Sequence, residues 1–142
     1  MPLLNYTTEI DVERTVGEIS KLLSMHGAQS IMTDYDEGYV KSLSFLIVVN
    51  GKRIGVRLPT DWKPVLAILE EQRVPKKLQT RDQAVRVAWR IIKVWVEAQM
   101  AIIDTKMVKI QEVFLPYVVT NNGLTLAEKF EEDDTLLLGD GN

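Results

Sequence analysis

The chain contains no cysteine. That excludes disulfides, thiolate metal sites and cysteine nucleophiles. It has a single histidine, His26. A multi-histidine metal site is therefore excluded within one chain, and any Ser-His-Asp triad would have to use this one residue. No run of apolar residues is long enough to span a bilayer: the stretch from Val94 to Ile103 is interrupted by Glu97 and Gln99. The N-terminus lacks the basic region and apolar run of a secretory signal. The phosphate-binding and nucleophile-elbow motifs G-x-x-x-x-G-K-[ST], G-x-G-x-x-G and G-x-S-x-G are absent. Asp34-Tyr35-Asp36-Glu37-Gly38 resembles the start of a calcium loop, but the twelfth position is Phe45, where the loop needs a bidentate Glu. These absences point to a chain without cofactor or metal, not an enzyme, located in the cytoplasm.

What is present centres on one stretch. Thr80 to Asp104 carries no Gly or Pro. It predicts a long helix capped by Thr80, with Gln83 reaching back to complete a capping box and Asp82 at the positive end. At 3.6 residues per turn, Gln83, Arg86, Arg90, Lys93 and Glu97 share a narrow polar wedge, and nearly all other positions are apolar. A helix apolar over most of its circumference is surrounded on several sides, so part of it is expected at an oligomer interface. Trp95, Gln99, Ile102 and Ile103 are the interface candidates. Gln99 is expected to be a buried amide bonded to backbone or to its symmetry mate.

The flanking pattern gives an α+β domain of order α-β-β-β-α-α. Residues 11–25 predict a first helix, capped by Thr7, Thr8 or Asp11 and ended by His26-Gly27. His26 reads as a helix-end residue, with phosphate contact or proton transfer as the alternative. A three-stranded meander follows: Gln29–Tyr35 with Ile31, Thr33 and Tyr35 on one face, then Tyr39–Val49, then Lys52–Leu58. Asn50-Gly51 marks a type I′ hairpin. Residues 60–72 predict a short helix with Val65, Leu66, Ile68 and Leu69 inward. Residues 107–115 and 125–132 predict short C-terminal helical segments, the last capped by Thr125. The domain is taken as residues 1–123, with 124–142 as an acidic tail carrying an apolar patch at Leu136–Leu138.

Charge is segregated. Residues 52–93 carry eleven Lys/Arg against four acids, while residues 1–51 carry three against seven and residues 94–142 three against nine. Three arrangements fit: an anion-binding surface, internal salt bridges, or a subunit contact. The anion or nucleic-acid candidates are Arg53, Arg57, Lys76, Lys77, Arg81, Arg86, Trp89 and Arg90, with Trp62 and Trp89 interleaved as stacking platforms. Glu97 with Arg90 and Lys93 reads as a helix-surface ion network.

The blocks YTTEIDVERTVGEISKLLSMHGAQSIMTDYD, LSFLIVVNG with VRLP, and TRDQAVRVAWRIIKVWVEAQMAIIDTKMVKIQEVFLPYVV resemble small proteins encoded by bacteriophages and prophages. The resemblance covers most of the chain, and no activity or catalytic residue transfers with it. It implies a phage-related accessory protein in the cytoplasm of a bacterial host. Two functions are expected. One is a homo-oligomeric module contacting a host or phage protein, for instance in counter-defence. The other is a nucleic-acid-binding accessory of replication or recombination. Sequestration of a small anionic signalling molecule is a third.

Overall fold

A computed structural model describes residues 1–133, and the Leu136–Leu138 patch lies outside them. The first helix, α1, spans Val12–Met25. Asp11 is its N-cap residue but makes no side-chain cap bond. Gly27 follows at φ +105°, a left-handed position that costs glycine little.

Three antiparallel strands follow: β1 (Ser30–Asp36), β2 (Tyr39–Val49) and β3 (Lys52–Arg57), in spatial order β1-β2-β3. Asn50 and Gly51 both have positive φ, as a type I′ hairpin requires. Leu43, Phe45 and Ile47 of β2 and Val56 of β3 fill one sheet face and are buried. The alternation expected for β1 holds in the pairing: Ile31, Thr33 and Tyr35 lie opposite Phe45, Leu43 and Val40, all buried. The register shift falls on β2, where Lys41 is the extra residue, and Tyr35, near the strand end, is itself exposed.

Helix α2 (Trp62–Glu71) is capped by Asp61, whose side chain accepts from the Lys63 N–H. Leu69 is buried, but Ile68, expected inward, is partly exposed. Helix α3 (Arg81–Asp104) packs on the sheet through Val85, Trp89, Val96 and Met100. Thr80 caps it by accepting from the Gln83 N–H at 3.1 Å. The reciprocal half of the expected capping box is missing, because the Gln83 side chain is bonded elsewhere. Its amide nitrogen donates to the Tyr6 and Thr8 carbonyls at 2.8 and 3.0 Å. Its oxygen accepts from Arg86. Gln83 is thus the buried amide, 2% exposed, while Gln99 is only half-buried.

The polar wedge of α3 faces α1. Glu18 accepts from Arg90 Nη1 at 2.7 Å and lies 3.4 Å from Lys93 Nζ. At the far end His26 Nδ1–H donates to the Leu22 carbonyl, and Nε2 lies 3.0 Å from Asp104. These pairs run in the same order along both helices, so α1 and α3 are parallel. Beyond α3 come α4 (Ile110–Val113) and a 3-10 turn at Leu115–Tyr117. Phe114 packs edge-on against Phe45 and Trp95, and closes that end of the core.

The last helix, α5 (Leu126–Glu132), has a complete capping box between Thr125 and Glu128. It is tied to the body. The Leu126 N–H donates to the Val118 carbonyl, and Val118 in turn bridges to Val56 of β3. Arg57 Nη2 donates to the Gly123 carbonyl at 3.0 Å and to Glu128 at 2.8 Å. The segment set off at residue 124 as an acidic tail therefore begins as part of the domain, because Arg57 needs a carboxylate partner and Glu128 supplies it. The fold is α+β, with the expected order α-β-β-β-α-α.

Candidate functional site

Two surfaces stand out, and both arise from how α3 is covered. The first is a helix face. At 1.5 Å per residue, α3 is about 36 Å long and α2 only about 15 Å. The cluster that joins them is built on Leu69, Val74 and Ala84. It covers only the N-terminal part of α3. Past Val87, which is fully buried, the same side continues through Ile91, Val94, Ala98, Ala101 and Ile102. Val94 is 42% exposed and Ile102 36%, and both alanines are exposed. Of the four interface candidates, only Ile102 lies on this stripe. Trp95 is half-buried against Phe114 and Tyr117, and Ile103 packs on the core. The spacing i, i+3, i+7 and i+11 from Ile91 was visible in the sequence. What was not visible is that α2 stops short of it.

The second surface is a cleft of ≈ 1020 Å³ where the sheet, the starts of α2 and α3, and α5 meet. Leu58, Val85, Ala88 and Trp89 contribute apolar lining. Arg81 is its central feature. Its guanidinium lies 4.3 Å from the Tyr39 ring centre and 4.7 Å from that of Trp62. Nη1 donates to Glu37 at 2.9 Å. Its Nε and the nearby cleft residue Thr60 Oγ1 are buried without a hydrogen-bond partner among the described residues. The Tyr39 hydroxyl donates to Asp82, and that bond holds the phenol above its ordinary value because ionisation would set two anions together.

The eight basic and aromatic candidates do not form one surface. Arg57 and Arg81 line the cleft, each in an ion pair. Arg86 donates to Gln83, and Arg90 is engaged by Glu18. Lys76 and Lys77 lie in a separate 3-10 turn. Arg53 pairs with Val48 near the hairpin end of β3. Trp89 is 0% exposed, with its indole N–H donated to the Val40 carbonyl at 3.3 Å. It presents no face for stacking, because it belongs to the core row Val85, Trp89, Val96 and Met100. Both tryptophans border the cleft, but Trp62 is the one whose ring meets the Arg81 guanidinium. Tyr39 and Glu37 carried no sequence signal: they meet Arg81 only through tertiary packing.

No protein-family model, curated protein or solved structure matches this chain. The functional reading therefore rests on geometry. Among the described residues no helix is long and apolar enough to cross a membrane.

Proposed function

We propose that this protein is a homo-oligomeric interaction module in which two copies pair through the uncovered face of α3. The observation that carries the reading is the stripe Ile91, Val94, Ala98, Ala101 and Ile102, apolar yet left uncovered by α2. Its size pattern is self-complementary. Ala98 sits at the middle, with a larger side chain one turn to either side, Val94 and Ile102. An antiparallel two-fold pairing sets Ala98 on the axis, where its small side chain allows close approach. Val94 then meets Ile102 of the partner subunit, as an isologous contact requires. The stripe is about 16 Å long. That is at the small end of stable interfaces, so a dimer dissociating at roughly micromolar concentration is expected. The reading assigns no catalysis and does not depend on the resemblance to phage-encoded proteins.

Sedimentation equilibrium across a wide concentration range tests it. The native chain should self-associate reversibly. Ala98→Glu should remain monomeric while keeping its helical circular dichroism, since residue 98 is exposed. A native chain that stays monomeric throughout, or an Ala98→Glu variant that associates equally well, would sink the proposal.

A further inference from the structure

The cleft has a feature that helix pairing does not use. The electron-rich faces of Tyr39 and Trp62 both address one guanidinium, at 4.3 and 4.7 Å. A cation within about 6 Å of a ring centre is attracted by the ring quadrupole. The charged lining of the cleft adds to this. It comprises five carboxylates, Asp34, Asp36, Asp61, Glu128 and Glu131, against four cations, Lys41, Arg57, Lys63 and Arg81. Arg57 and Glu128 are committed to one another, which leaves four carboxylates against three cations. The balance disfavours an anionic ligand and favours a cationic one.

We propose that the Tyr39–Trp62 pair is a binding site for an organic cation, an alkylammonium or guanidinium group, and that Arg81 occupies it in cis as a tethered competitor. The chain itself shows that a guanidinium fits between these rings. The hold on Arg81 is weak in two respects. Its carboxylate partner, Glu37, is 72% exposed and sits in the turn between β1 and β2, where solvent screens the pair. Its Nε–H is buried without a partner among the described residues, so the docked guanidinium leaves one donor unmet there. An incoming cation that satisfies its own donors displaces Arg81 outward. The ≈ 1020 Å³ cleft leaves room beside the rings for the rest of the ligand. Two sources offer this chemistry: an arginine or lysine side chain of a protein partner, and a free small cation. The site is independent of the α3 stripe, so either proposal can fail without the other.

Isothermal titration of the full chain tests it with N-acetyl-arginine amide, tetramethylammonium, and a short peptide bearing one arginine. Arg81→Ala should bind the amide at least roughly tenfold more tightly than the native chain, and adding Trp62→Leu should abolish the gain. Peptide binding well above that of the amide assigns the source to a protein partner; equal affinity assigns it to a free cation. Thermal melting checks that each variant is folded. Arg81→Gln replaces Arg81→Ala if the latter melts early. A folded variant lacking Arg81 that binds no probe more tightly than the native chain overturns the proposal. So does a gain that persists when Trp62 is lost.

Discussion

Gln83 does the work the sequence suggested for Gln99. It sits at the start of α3, fully enclosed, and ties the N-terminal segment to the helix by donating to the Tyr6 and Thr8 carbonyls. Its oxygen is used by Arg86, so both ends of the amide are satisfied. Gln83→Leu should therefore destabilise the fold by about 1–3 kcal/mol, because it strands two carbonyls and a guanidinium in a part-buried site. Urea unfolding at neutral pH checks this. Gln99→Leu, at a half-buried position, should change stability far less. Glu18 makes a second prediction at this scale. The Arg90 hydrogen bond, aided by Lys93, lowers its pKa from the ordinary 4.5. A carboxylate lowered on folding adds stability that is present above its unfolded value and lost as pH falls through the folded one. Stability should thus drop on acidification below about 4.5, and Glu18→Gln should be less stable at neutral pH and show a shallower acid dependence. A variant that keeps the native acid profile would remove Glu18 from this role.

At the scale of elements, local chemistry was legible and coverage was not. The Asn50-Gly51 hairpin, the Thr80 and Thr125 caps and the end of α3 at Asp104 are fixed by residues next to one another, so the sequence displays them. The bulge at Lys41 of β2 is not of this kind. It depends on how the seven residues of β1 pair with their neighbours across the sheet. The same distinction governs the candidate sites. Periodicity alone places Val85, Trp89, Val96 and Met100 on one helix face, which is the core face, and on that ground Trp89 was readable as buried. The stripe through Val94 and Ala98 has equally good periodicity. Whether it is covered depends on the length of α2 and where it crosses, which no local pattern encodes. The ring pair around Arg81 is harder still, since it brings together a turn, a strand start and two helix starts.

For the whole molecule, the segregated charge has a structural account. The acidic N-terminal third supplies Glu18 and Glu37 to Arg90, Lys93 and Arg81. The acidic C-terminal third supplies Glu128 to Arg57 and Glu97 to Lys93. Four of the eleven basic residues of the middle, Arg57, Arg81, Arg90 and Lys93, are thus held by acids of the chain ends, and those four charges serve cohesion among distant segments. Arg57 with Glu128 ties the last helix to the sheet, and α5 is also held by the Val118 and Val119 hydrogen bonds at the edge of β3. Thr125 and Arg57 together keep the Glu128 carboxyl below its ordinary value. Arg57→Ala removes both the ion pair and the bond to the Gly123 carbonyl. It should loosen α5 while leaving the α1–α3 contact intact, since Glu18 and its partners lie elsewhere. Amide hydrogen exchange would then quicken over residues 123–133 and stay slow in the middle of α3. Acidification below about 4.5 should reproduce part of that loosening in the native chain and less of it in Arg57→Ala, where the ion pair is already gone. Uniform quickening across the chain would mean that α5 opens only with global unfolding, and that Arg57 stabilises the domain as one unit.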